Sequence, residues 1–400
     1  MLDAIKQLLR KNKFITEFYG LWKARLQEKK ALSDLDFYRR IAVEKKLKLP
    51  QNGDICGALR ERLKNNAKKP AIKPKGEMHI FLAFPLNNWE AILPVALAPF
   101  GKITVFKWKS VGLFNNRSEW LRYRELLNLQ MIKKFEEAFN IQPIDAVVGY
   151  FSDFYIIPET LYKMSESKAI IFNMCWDDKL YFSGFYKKQA RGIGSIVAAI
   201  DLNLTNSYDS LIKYFASGGL AMFWPEGAHP QSHSPVDVPF KYDVSFVGQR
   251  YGLRGRFIEK LRGNEIDIIT FGLGWENGTL LDKEMVRLYS ESRINLGFAG
   301  IGYSSKLMCL KGRDFEIPMS GGLYLTQDNP ELSRVYEVGK EIVTHKDIND
   351  CVNKIRWLLN NPAVADKIRK AGRERALRDH TWEKRFEEIF RLSGLLKNGH

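Results

Sequence analysis

Short apolar runs recur along this chain at intervals that leave room for one helix between neighbours, and this pattern constrains the fold most. MHIFLAF (78–84), KITVFKW (102–108), IDAVVGY (144–150), KAIIFNMC (168–175), AIDLNLT (199–205) and GLAMFWP (219–225) form a first series. YDVSFVG (242–248), IDIITFG (266–272), RINLGF (293–298), GLYLT (322–326) and KEIVTH (340–345) form a second. Helical patterns fill several gaps, among them 117–139, 207–216, 254–263 and 280–292. Near-continuous apolar strands alternating with helices imply parallel sheets covered on both faces. EGAHPQSHSPVDVPFK (226–241), rich in Pro, Ser and His and without periodicity, separates the two series as a linker or cleft-crossing segment.

A chain of 400 residues exceeds one ordinary core and suits two domains. The expected divisions are a basic helical extension and linker at 1–75, a first α/β domain at 76–228, a second at 229–380 and a terminal helix at 381–400. Residues 1 to about 72 read as helical, with Lys and Arg between apolar positions; KKPAIKPKGE (68–77) is the linker. That basic stretch is either a solvated face or a surface for anionic headgroups. Helices at 347–361, 362–380 and 381–394 close the chain.

The formal net charge of +16 calls for an anionic partner. It is spread along the chain without a zinc-finger, helix-turn-helix or RNP-like signature, so nucleic acid is not the expected one. Four cysteines, Cys56, Cys175, Cys309 and Cys351, form no CxxC pair, so neither a disulfide framework nor a structural zinc site is expected. No apolar run approaches the roughly 18 residues of a membrane span, and the N-terminus does not read as a signal peptide. A reducing cytoplasm is the expected setting, with peripheral contact to an anionic membrane as a further expectation. GxGxxG and GxxxxGK(S/T) are both absent, which counts against dinucleotide oxidoreductases and P-loop NTPases.

Chemistry concentrates in LKGRDFEIPMSGGLYLTQDNPEL (310–332). Asp314 reads as an N-cap, Gly321 as a helix end, and the helix between them as two turns at most. Lys311 and Arg313 beside a helix start suit phosphate oxygens. Glu316 can accept hydrogen bonds from a pair of sugar hydroxyls, as an acidic residue does with ribose in dinucleotide folds. Gly321 and Gly322 allow close approach. The alternative is a surface cluster in which these charges pair with each other. Gly248, Arg250 and Arg254 follow the first strand of the second domain and suit a pyrophosphate. Asp177 and Asp178, in CWDDKLYF, are candidates to take a proton from an acceptor hydroxyl; helix capping is their structural alternative. His229 and Glu226 lie in the segment 226–241, His229 as a candidate base. Asp153 is a weaker acidic candidate, and Trp89, Trp176 and Trp224 could stack on sugars or fill the core.

The stretch at 310–332 resembles the nucleotide-sugar motif of group 1 glycosyltransferases and, more closely, that of the spore-maturation-type, CgeB-like family. Arg313, Phe315, Glu316, Gly321 and Gly322 fall in register with it. GKEIV (339–343) and NNPAVADKIRKAGRERALRDHTWEKRFEEI (360–389) are similar to that family's C-terminal pattern, and the likeness extends more loosely back to 202. The resemblance implies a GT-B fold: two Rossmann-like doubly wound parallel-sheet domains facing a cleft, the donor held by the second and the last helix returning to the first. It also implies transfer of a sugar from a nucleoside-diphosphate-sugar such as a UDP-sugar to a glycan, glycolipid or protein hydroxyl, without metal or other cofactor. By the resemblance Glu316 holds ribose and Arg313 and Lys311 lie near the diphosphate. The sequence departs from the group 1 pattern at Met308, where many members have a second Glu. A non-catalytic binding protein and a nucleotide-sugar epimerase are the alternatives.

Overall fold

The computed structural model describes residues 13–48, 54–84, 89–108, 111–112, 117–186, 189–304 and 306–397. By its contacts the chain divides into two compact units, Met1–Leu32 with Glu226–Thr381, and Ser33–Pro225 with Trp382–His400.

The second of these is built on a six-stranded parallel sheet of order β2-β1-β3-β4-β7-β8. Its strands are β1 (Met78–Phe84), β2 (Gly101–Lys107), β3 (Ala146–Gly149), β4 (Ile170–Cys175), β7 (Leu202–Thr205) and β8 (Ala221–Phe223), one for each apolar run of the first series. β5 (Gly184–Tyr186) and β6 (Gln189–Arg191) form a separate antiparallel hairpin that the sequence pattern did not signal. Side chains alternate across the sheet. Ile80, Leu82 and Val148 pack with Leu59 and Leu63 of α2 (Ile55–Asn65) and with Trp382, Phe386 and Phe390 of the terminal helix α14 (Trp382–Leu392). Phe81, Ala83 and Val147 face the opposite layer, α5 (Arg124–Ile141) and α6 (Pro158–Glu166), through Met131, Phe135 and Leu161. The pattern at 117–139, read as one helix, is two: α4 (Arg117–Arg122) ends before Tyr123, and α5 restarts behind it.

One ion pair in this unit is fully enclosed. Lys68 Nζ donates to Asp201 Oδ2 at 2.5 Å and to the Ala169 carbonyl at 2.6 Å. Asn66 Nδ2 and the Ile171 N–H complete the Asp201 carboxylate at 3.1 and 2.8 Å.

The other unit holds a five-stranded parallel sheet of order β10-β9-β11-β12-β13. Its strands are β9 (Tyr242–Val247), β10 (Ile268–Phe271), β11 (Ser292–Leu296), β12 (Tyr324–Gln327) and β13 (Val343–His345). Helices α9 (Arg254–Gly263), α12 (Ile348–Asn360) and α13 (Pro362–Asp379) bury Ile258, Ile355 and Ile368 with Val244, Ile294 and Leu325. α10 (Asp282–Glu291) leads into β11, and α11 (Arg313–Met319) into β12.

The boundary within the long first helix, α1 (Lys13–Glu44), follows its side-chain bonds. Gln27 and Glu28 bond Tyr303 and Ser304, whereas Asp34 pairs with Lys213 and Tyr38 with Ser183. Residues 1–12 and 49–53 of the expected extension lie outside the described residues. Among the described residues no helix is long and apolar enough to cross a membrane.

Candidate functional site

In the unit carrying β9, cationic side chains gather at the carboxyl ends of strands. β9 ends at Val247, and Gly248 follows at φ +151°, a conformation that an L side chain rarely adopts. A Cβ on Gly248 would also lie 3.2 Å from Arg313 Nη1 and 3.1 Å from Phe246. Glycine therefore allows the Arg313 guanidinium to lie against this turn. Six residues on, α9 begins; its N-cap, Leu253, offers no side-chain acceptor to the first N–H groups.

Arg254, the first residue of α9, is buried. Its guanidinium donates to the Gln249 carbonyl at 3.1 Å and to the Tyr251 hydroxyl at 3.3 Å, and lies 4.2 Å from the Tyr251 ring centre. Arg254 and Arg313 share the Phe246 ring, at 5.7 and 5.9 Å. Among the described residues, no carboxylate pairs with either, and Arg313 Nε is buried without a partner. Burial first, and then the Arg313 charge, push the Arg254 pKa down to about 10. Two guanidiniums near an uncapped helix N-terminus, neither in an ion pair with a carboxylate among the described residues, suit an anion.

α11 differs from the expected helix in its cap. Gly312, not Asp314, is the N-cap. Asp314 is buried inside the first turn, where Lys311 N–H donates to its Oδ2 and Tyr324 Oη to its Oδ1, each at 2.6 Å. Burial raises its pKa to about 6 against those hydrogen bonds. Its task is to hold the 311 turn onto β12. The C-terminus is a Schellman motif: Gly322 N–H bonds the Ile317 carbonyl and Gly321 N–H the Pro318 carbonyl, both at 2.9 Å, with Gly321 at φ +71°. A Cβ on Gly322 would meet Asn295 Nδ2 at 2.7 Å.

Glu316 is half-buried, one turn in. Its Oε1 would lie 3.0 Å from a Cβ on Gly312, so the missing side chain there leaves room for the carboxylate. Among the described residues neither a hydrogen bond nor an ion pair occupies that carboxylate, and Arg313 does not pair with it. The surface salt-bridge cluster considered from sequence is thus not formed. Lys311 Nζ instead reaches Cys309 Sγ at 2.9 Å. Tyr289, within α10, gave no signal in the sequence. Its hydroxyl is buried without a partner, and burial followed by the Glu316 charge pushes its pKa up.

Arg250 and His229, two further predicted residues, have partners close by in the chain. Arg250 turns to Glu259, 2.9 Å away, and lies over Trp275. His229 Nδ1 pairs with Ser232 Oγ at 3.1 Å, half-buried in the segment after β8. Glu226 is buried. Among the described residues no group of three His, Cys, Asp or Glu side chains could hold a metal ion.

In the other unit, Asp177 and Asp178 have opposite surroundings. Asp178 is fully buried; Thr205 and Tyr214 hydroxyls donate to its Oδ2, and burial raises its pKa. It ties β4 to β7 and α8 (Leu211–Ala216) and cannot reach a substrate, which removes it as a base. Asp177 is exposed, and the Tyr150 hydroxyl donates to one of its oxygens at 2.7 Å. Asp153 is enclosed by Arg124 and Arg191. Trp176 and Trp224 are core residues packed on Trp382, and the Trp89 side chain lies outside the described set.

Asp177 stands at a cavity of about 260 Å³ formed at the carboxyl ends of β3 and β4. Trp120, Tyr150, Phe154, Tyr155 and Tyr181 supply most of its wall. The YFSDFY run (150–155) was the available signal, read from sequence for its aspartate and not for its rings.

Residues 254–391 match the model of a family described as glycosyl transferase-like. No curated protein matches the chain by sequence. Similar solved structures include a sucrose-phosphate synthase from Thermosynechococcus elongatus, at 12% identity and TM-score 0.57, covering 79% of this chain and 98% of that one. Anabaena HepE in complex with UDP and glucose aligns at 11% identity and TM-score 0.51, over 86% of this chain and 95% of its own. An alpha-glucosyltransferase in complex with UDP and a 13-mer DNA aligns at 13% identity and TM-score 0.55, over 80% and 100%. Two parallel-sheet α/β units together with these neighbours identify the GT-B fold.

Proposed function

We propose that the chain is a glycosyltransferase that moves a sugar from a nucleoside-diphosphate-sugar to an acceptor hydroxyl, in the cytoplasm and without a metal. The observation that carries it is the pair Arg254 and Arg313, unpaired by any described carboxylate at the N-terminus of α9, with the Glu316 carboxylate, unbonded among the described residues, three residues on from Arg313 in the same short helix. The guanidiniums and the helix N–H groups would hold the diphosphate, and Glu316 the ribose hydroxyls. As the bond between the anomeric carbon and the phosphate oxygen breaks, its electron pair stays on the diphosphate. Cations already in place stabilise that charge without reorganising. The acceptor oxygen forms the new bond to the anomeric carbon, and its proton passes to a general base. The UDP named with HepE and the alpha-glucosyltransferase makes UDP the first base to try.

Calorimetric titration with UDP, GDP, ADP, CDP and TDP tests the donor half. One diphosphate should bind wild type and bind Glu316→Ala about tenfold or more weakly, the loss of hydrogen bonds to a charged group. Equal binding by the two proteins would remove Glu316 from the site. Met308, in place of the group 1 acid, favours one second reading, a protein that binds a sugar nucleotide without transferring it. Release of UDP from UDP-sugar only when acceptor is added excludes that reading.

A further inference from the structure

We propose that the cavity at the ends of β3 and β4 receives one neutral pyranose ring, the terminal residue of the acceptor, and disfavours phosphorylated or acidic sugars. This rests on the glycosyl-transfer reading and names its acceptor class.

The wall is aromatic and held firm. Trp120 and Tyr155 have ring centres 4.7 Å apart, and Trp108 braces both edge-on, at 5.6 and 5.2 Å. Such faces suit the C–H face of a sugar ring, whose hydroxyls then point to the rim. Much of the wall's own polarity is already used. Tyr155 Oη donates to the Tyr150 carbonyl at 2.6 Å and Tyr150 Oη to Asp177. The Ser152 hydroxyl and the second Asp177 oxygen are left for a ligand, with no bond to either among the described residues. A volume near 260 Å³ is below the roughly 300–1,000 Å³ that drug-sized ligands fill, so it holds about one ring.

Charge then selects among ring acceptors. The chain carries +16, yet among the described residues no lysine or arginine lines this cavity, and the one charged lining residue among them is Asp177. The neighbouring cations Arg124 and Arg191 are committed to Asp153. A phosphate or carboxylate entering here would meet a like charge and find no counter-ion among the described wall residues.

The test is saturation-transfer NMR and calorimetry on the full chain. The probes are methyl pyranosides of glucose, galactose, mannose and N-acetylglucosamine, the matching 6-phosphates and uronates, and decanol. At least one neutral pyranoside should bind saturably, and its 6-phosphate about tenfold or more weakly. Trp120→Ala should weaken the neutral ligand about tenfold. Asp177→Asn should narrow the neutral-to-anionic ratio, a change that partial unfolding would not produce. Absence of binding by every neutral pyranoside, or tighter binding of the 6-phosphates or of decanol, overturns the assignment. UDP titration of the same samples reports the donor unit separately. UDP binding without pyranoside binding sinks this proposal alone, and pyranoside binding without UDP supports it while sinking the nucleotide reading.

Discussion

Lys68 and Arg254 are both buried cations, and they differ in what faces them. Lys68 meets the Asp201 carboxylate and a backbone carbonyl inside a network that leaves neither charge exposed. Arg254 meets a carbonyl, a tyrosine hydroxyl and a second guanidinium. Burial lowers the pKa of both; Asp201 counters that for Lys68, whereas Arg313 adds to it for Arg254. A closed pair contributes to the fold by itself, whereas a like-charged pair waits for an anion. The net charge of the chain indicated an anionic partner, and the pairing pattern is the ground for the place proposed for it.

The largest effect should come from opening the closed pair. Asp201→Ala strands Lys68 without its partner and should cost about 3–5 kcal/mol of stability by urea denaturation, while UDP affinity of the folded fraction stays at the wild-type value. Arg313→Ala should act in the opposite sense. It should weaken UDP about 30-fold or more, a loss of about 2–3 kcal/mol, and leave the unliganded protein as stable as wild type or slightly more so, because Arg254 loses a repelling neighbour. A drop in unliganded Tm equal to that of Asp201→Ala would show that Arg313 is structural. The smallest effect belongs to Arg250, whose ion pair with Glu259 is about half exposed on both sides. Arg250→Ala should shift stability by roughly 0–1 kcal/mol and UDP affinity by less than about threefold. A tenfold loss would return Arg250 to the pyrophosphate site.

The strands of the two parallel sheets were legible because each lies in a largely apolar run, as a sheet covered on both faces requires, whereas the hairpin of β5 and β6 was not. The short helix before β12 was legible as well, since Gly321 ends it in the left-handed conformation that glycine favours. Its cap was not. Asp314 has the composition of an N-cap, but Tyr324, ten residues on, draws its carboxylate inward. Asp177 and Asp178 are adjacent and alike in sequence, and only the fold separates them. The chain turns one outward at the end of β4 and the other onto Thr205 and Tyr214.

Local pattern therefore determined the two parallel sheets, the places of their strands along the chain, and the place of Glu316 behind a glycine-bounded turn. These depend on periodicity and backbone preference, which neighbours in sequence express. Tertiary structure alone decided which cations are paired, which aspartate meets solvent, and that the rings of YFSDFY and Trp120 line one cavity. Those properties depend on desolvation and on contacts between residues far apart in the chain, and a side chain's type does not reveal what will be packed against it.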